Sequence, residues 1–203
     1  MNRFIFLFFA LSALTGCASP LRGTVIEKGT EKPVEGAIVY AQWMSYGGFI
    51  DSRTSCVQID FSTTDANGRY ELPNLNASDT LKPHLGVYKP GYEEYLDVDI
   101  VSGRITPYPG TPSGEEWLVM RPFTGTTEER LKYLIAQHGK ECGPRSEYVH
   151  KLIPFYRRLN DEARSIAKTP AEKKGLWGFQ YAVDILELGF PEASRKLSNG
   201  EYK

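Results

Sequence analysis

The residues that could carry chemistry in this 203-residue chain are few and scattered. Asp65 and Asn67 stand two apart before Gly68, the spacing of oxygen ligands that opens a calcium loop. In that register Thr63 takes the first position and Asn74 the twelfth, where carboxylates are required. A hard dication needs more anionic oxygen than this, so Asp65, Asn67 and Gly68 read instead as a hairpin turn. His138, Cys142 and His150 offer three nitrogen or sulfur ligands for zinc, but Gly139 and Gly143 break the helix that would align them, and no fourth ligand is in view. No metal or other cofactor is expected. No Gly-x-Ser-x-Gly elbow is present, and the Glu93-Glu94, Glu115-Glu116 and Glu128-Glu129 pairs point apart as neighbours on a strand do. The remaining candidates are aromatics: Trp43, Tyr46, Phe49, Tyr92 and Tyr108 lie in or near turns, where exposed rings stack on sugars or anchor a protein partner.

The N-terminus fixes the compartment in which such a site would work. Arg3 precedes an eleven-residue apolar run, residues 4–14 (FIFLFFALSAL). A membrane-spanning helix needs about 20 such residues, so this length suits the h-region of an export signal. Leu14-Thr15-Gly16-Cys17 then resembles the lipobox of bacterial lipoproteins. That resemblance implies removal of residues 1–16 and acylation of Cys17, hence a membrane held through its lipid anchor; the alternative is an ordinary secretory signal. Ala18 stands where Asp would favour inner-membrane retention, so the resemblance implies the outer membrane, facing the periplasm. A net charge of −1 gives no drive toward nucleic acid. Cys56 and Cys142 remain after Cys17. In an oxidising compartment such a pair is usually bridged, closing a loop of about 86 residues and contributing roughly 4 kcal/mol; two unrelated thiols is the other reading.

The elements that must position these residues change character near residue 122. Before it, short runs rich in β-branched and aromatic residues alternate with turns: 21–27, 37–43, 56–62, 69–72, 85–89, 95–100 and 117–121. Residues 44–55 and 101–116 read as long surface loops. After it the spacing is helical. Thr126 and Glu129 form a capping box for a helix ending at Gly139, and Ser146 caps a second. Thr169, Pro170 and Glu172 start a third, ending near Gly189.

Four pieces then occur in order: Gly23-Thr24-Val25, PVEGAIV at 33–39, TDANGRYEL at 64–72, and Leu85-Gly86-Val87 followed by Pro90-Gly91-Tyr92. Together they resemble the carboxypeptidase regulatory-like domain over about residues 21–122. The resemblance implies an α+β chain: a transthyretin-like, seven-stranded antiparallel β-sandwich at 17–122, with a helical extension of about three helices, 123–203, packed on it. Some transthyretin-like proteins hydrolyse a purine-derived ring and end in Tyr-Arg-Gly-Ser; this chain ends Gly200-Glu201-Tyr202-Lys203. The expectation is therefore a non-enzymatic lipoprotein that binds or scaffolds an envelope protein. The alternatives are a carbohydrate-binding module using the loop aromatics, and a hydrolase whose residues meet only in three dimensions.

Overall fold

A computed structural model describes residues 20–47, 53–73, 83–95, 98–99, 104–105, 116–137 and 149–202. Nine strands precede five helices: β1 (Leu21–Glu27), β2 (Ile38–Gly47), β3 (Arg53–Thr63), β4 (Arg69–Leu72), β5 (His84–Tyr88), β6 (Tyr92–Tyr95), β7 (Val98–Asp99), β8 (Arg104–Ile105), β9 (Glu116–Pro122), then α1 (Thr127–Gln137), α2 (Val149–Ile166), α3 (Pro170–Lys174), α4 (Trp177–Leu188) and α5 (Phe190–Ser198). Seven strands build two sheets, in the orders β4-β1-β9-β6 and β3-β2-β5, and β7 and β8 form a separate ribbon.

The mixed α+β content and the sheets of four and three strands match the expectation; strictly antiparallel pairing does not. β1 and β9 run parallel, with Gly23 opposite Glu116 and Glu27 opposite Met120. A parallel neighbour needs a long crossover, and here the chain between them builds the other sheet.

The sheet β3-β2-β5 is buried on both faces. On β2, Val39, Ala41 and Trp43 meet Val25, Leu72 and Met120 of the four-stranded sheet. Tyr40, with Ile59 and Tyr88, points the other way, into a cluster with Leu131, Leu152, Phe155 and Leu159 of the helices. The order is sheet, sheet, helices, and α2 supplies the face that the three-stranded sheet needs. Phe155 is its main contact: its ring centroid lies 5.6 Å from those of Tyr40, Phe61 and Tyr88. Gly86 makes room for this layer, because a Cβ there would meet the Tyr40 ring at 2.1 Å.

Three further expectations are corrected. Within the segment 44–55, residues 44–47 and 53–55 are paired strand, out to Gly47 opposite Arg53, with a bulge at Trp43/Met44. The bulge shifts the phase of β3, so Val57 packs with the inter-sheet core while Ile59 and Phe61 face the helices. The turn at 65–68 is present but is no hairpin, since β3 and β4 belong to different sheets. It carries the chain across the core. Among the described residues the helical region has five segments rather than three: the third stretch breaks at Gly175 and Leu176, and α5 follows directly on Gly189, whose φ is 85°.

Candidate functional site

The structure separates the residues singled out in the sequence. Trp43 is fully buried between the sheets, so it is a core residue and not a ligand-binding ring. Its inward direction follows from the alternation it shares with Val39 and Ala41. Tyr92 is half-buried on β6; its hydroxyl donates to Glu27 Oε2 at 3.0 Å, and Lys89 Nζ lies 5.4 Å from its ring centroid. Tyr46 falls on β2 opposite Thr54. Phe49, Tyr108, Cys17, His138 and Cys142 lie outside the described residues. Cys56 is disulfide-bonded.

The turn residues are occupied by their own backbone. Asp65 Oδ1 accepts from the amides of Asn67 at 2.8 Å and Arg69 at 2.9 Å. Gly68 has φ 71°, and a Cβ there would meet Val25 O at 2.4 Å. Its own carbonyl accepts from Val25 N at 2.8 Å, clamping the crossing to β1. Beneath it, buried Thr64 Oγ1 accepts from Ala37 N at 2.8 Å and donates to Val34 O at 2.6 Å. Among the described residues no group of three His, Cys, Asp or Glu could hold a metal ion.

Two polar clusters emerge that the sequence did not announce. The first joins α1, α2 and the β5–β6 turn. Glu162 Oε1 accepts from Arg130 Nε at 2.8 Å and Gly91 N at 3.0 Å; Oε2 accepts from Arg130 Nη2 at 3.0 Å and Tyr88 Oη at 2.7 Å. Arg130 Nη1 donates to Tyr92 O at 2.5 Å, and its guanidinium lies against Phe123 and Tyr133. Arg130 and Glu162 are both buried. Burial, and then the bond to Glu162, push the Tyr88 hydroxyl far above the ordinary tyrosine range. A phenol so held offers no base. Both carboxylate oxygens carry two donors each, so the cluster works as a clamp.

The second cluster lies among α2, α4, α5 and Tyr202. Asp184 is buried, and accepts from Gln180 Nε2, Lys196 Nζ and Tyr202 Oη, each at 2.7 Å. Burial alone would raise its pKa; the bonds from Lys196, Gln180 and Tyr202 together outweigh that and hold it below the ordinary carboxylate range. Beside this network opens a cleft of about 430 Å³ lined by Arg164, Lys173, Leu176, Trp177, Gln180, Glu201 and Tyr202. Trp177 is 45% exposed, and rings stack behind it: Trp177 to Tyr181 at 6.1 Å, then Tyr181 to Tyr202 at 5.7 Å, edge-on. Arg164 is held by neutral groups, Asn160 Oδ1 at 3.2 Å and Gln180 Oε1 at 2.8 Å. From sequence, Trp177 and Tyr181 read as helix packing.

Compared with known proteins, the chain matches no protein-family profile and no curated protein. A solved 9R-lipoxygenase from Cyanothece PCC8801 aligns at 11% identity over 79% of this chain and 27% of its own, with a TM-score of 0.27. The chain thus spans about a quarter of that enzyme's length, and the likeness defines no shared fold.

Proposed function

We propose that this chain is a non-enzymatic envelope lipoprotein, anchored through Cys17 on the periplasmic face of the outer membrane, that docks a protein partner on its helical surface. The two-sheet unit, on this reading, is a transthyretin-like sandwich of the carboxypeptidase regulatory-like kind, serving as a scaffold. With Cys17 acylated, Cys142 is the thiol left for Cys56, and their bridge ties the segment before α2 to β3.

One observation carries the docking reading. Among the described residues, the exposed large hydrophobics are Ile135, Trp177, Leu188, Phe190 and Leu197, all in the helical region. Phe190 and Leu197 stand seven apart on α5, hence on one face, and Leu188 ends the preceding helix. A clustered apolar face on an otherwise polar surface is the mark of an interaction site.

The test is photo-crosslinking in cells, with the crosslinking side chain at Phe190 or Leu197 and, as control, at Glu71 on the exposed side of β4. A discrete envelope protein captured from the helical positions alone, and lost with Phe190→Asp, supports docking. Equal capture from all three positions defeats it. Cys17→Ser should release the chain from the membrane fraction, and retained anchoring would refute the lipoprotein reading.

A further inference from the structure

The cleft beside Trp177 shares no lining residue with the face formed by Leu188, Phe190 and Leu197, and it has a different character. Its volume of about 430 Å³ falls within the range of small-molecule sites, roughly 300–1,000 Å³. Two of its lining residues, Arg164 and Lys173, are cations with no carboxylate partner among the described residues. Lys196, by contrast, is spent on Asp184. Glu201 also lines the cleft and, among the described residues, its carboxylate accepts from Asn199 Nδ2 at 3.4 Å. The balance favours a ligand with one negative charge.

The geometry refines that ligand. Arg164 uses Nε and one Nη2 hydrogen on Asn160 and Gln180, which fixes the guanidinium plane and leaves Nη1 free to meet a carboxylate. The aromatic row puts a half-exposed indole beside it, braced from behind by Tyr181 and Tyr202. An indole face next to hydrogen-bonding groups suits a ring with one apolar face and a polar rim. Glu201 can accept from hydroxyls on that rim, and Tyr202 Oη, which donates to Asp184, keeps acceptor capacity. Gln180 is bonded to Arg164 and Asp184 at once, which ties α2 to α4 across the cleft wall.

We propose that this cleft binds one acidic sugar residue, a pyranose with a single carboxylate. Arg164 and Lys173 hold the carboxylate, Trp177 stacks on the ring and Glu201 takes its hydroxyls. This inference goes beyond the docking reading and stands without it.

The experiment is calorimetric titration of the full-length chain in detergent with D-glucuronate and D-galacturonate, each beside its uncharged counterpart, D-glucose and D-galactose. At least one uronate should saturate the site with a Kd of about 1 mM or tighter, and its neutral counterpart should bind about tenfold more weakly. Arg164→Gln should erase that difference. Trp177→Ala should abolish binding of both forms. Lys173→Gln removes an exposed side chain that no packing depends on, so it keeps the test decisive if Trp177→Ala fails to fold; it should weaken uronate binding alone. Failure of both uronates to saturate by about 10 mM, parity between acid and neutral sugar, or indifference to Lys173→Gln and Arg164→Gln would overturn the proposal. Phe190→Asp should leave every titration unchanged, which separates this site from the docking face.

Discussion

Glu162 and Asp184 are both buried carboxylates on helices, and the protein spends them differently. Glu162 faces inward from α2 and takes donors from α1, from β5 and from the turn after it. Its cation, Arg130, is buried with it. Asp184 takes donors from its own helix, from α5 and from the chain's end. Its cation, Lys196, is 29% exposed, and the ungrouped charges of Arg164 and Lys173 lie nearby. The clamp joins the sheet layer to the helices. The other network stiffens the wall of an opening. A buried charge thus marks a fold junction where every valence points inward, and a site where some point out.

The largest effect should come from breaking the clamp. Glu162→Ala strands the Arg130 guanidinium in the core and should cost about 3–5 kcal/mol. Urea unfolding would measure it. The double variant Arg130→Met, Glu162→Leu should recover only the part due to the stranded guanidinium, because Tyr88 Oη and Gly91 N still lose their acceptor. A single variant that costs as little as a surface pair would erase the distinction between the two carboxylates.

Asp184→Ala should cost less, about 2 kcal/mol, because the donors it releases lie closer to water. The same residue gives the comparison a pH signature. The Asp184 carboxyl titrates below its ordinary range in the fold. Its contribution is therefore complete above the unfolded-state value of about 4 and is lost as pH falls through the folded value. Thermal melts on acidification should show a shallower acid loss in Asp184→Asn than in the parent. Identical acid limbs would remove Asp184 from the stability of this end of the molecule.

The smallest effects sharpen the helix starts on each side. Thr126 Oγ1 caps α1 at Glu129 N, 3.3 Å, and Glu129 reaches back to Thr126 N at 2.7 Å. Thr169 and Glu172 repeat the arrangement at α3, with 3.2 Å and 2.8 Å. Each Thr→Ala should cost about 1 kcal/mol. Only Thr169→Ala should also weaken uronate binding, since α3 carries Lys173.

Both capping boxes were legible because a cap is a local event: four consecutive residues contain donor, acceptor and register. The same holds for β1 and β4, whose bounds match the sequence reading, and for Gly68, where a positive φ is written into Asn-Gly. The clamp was not legible. Arg130 and Glu162 are 32 positions apart, and Tyr88 is 74 from Glu162, so nothing nearby in sequence distinguishes them from solvated charges. The cleft fails to show for the same reason. Trp43 reads as exposed from its place beside a turn, yet the apolar run Ala37-Ile38-Val39-Tyr40-Ala41 implies a strand covered on both faces, and the ring is buried. α5 was missed at Gly189, which reads as a stop; Pro191 in its first turn reads equally as a start.

The parallel pairing of the first and last strands of the four-stranded sheet also sets a distance. Because β1 and β9 run the same way, the chain enters the sheet at one end and hands over to α1 at the other. Seven residues of strand separate those ends by roughly 20 Å. The helices therefore begin at the end of the sheet opposite the one where the chain enters, with the full length of the strands between the two.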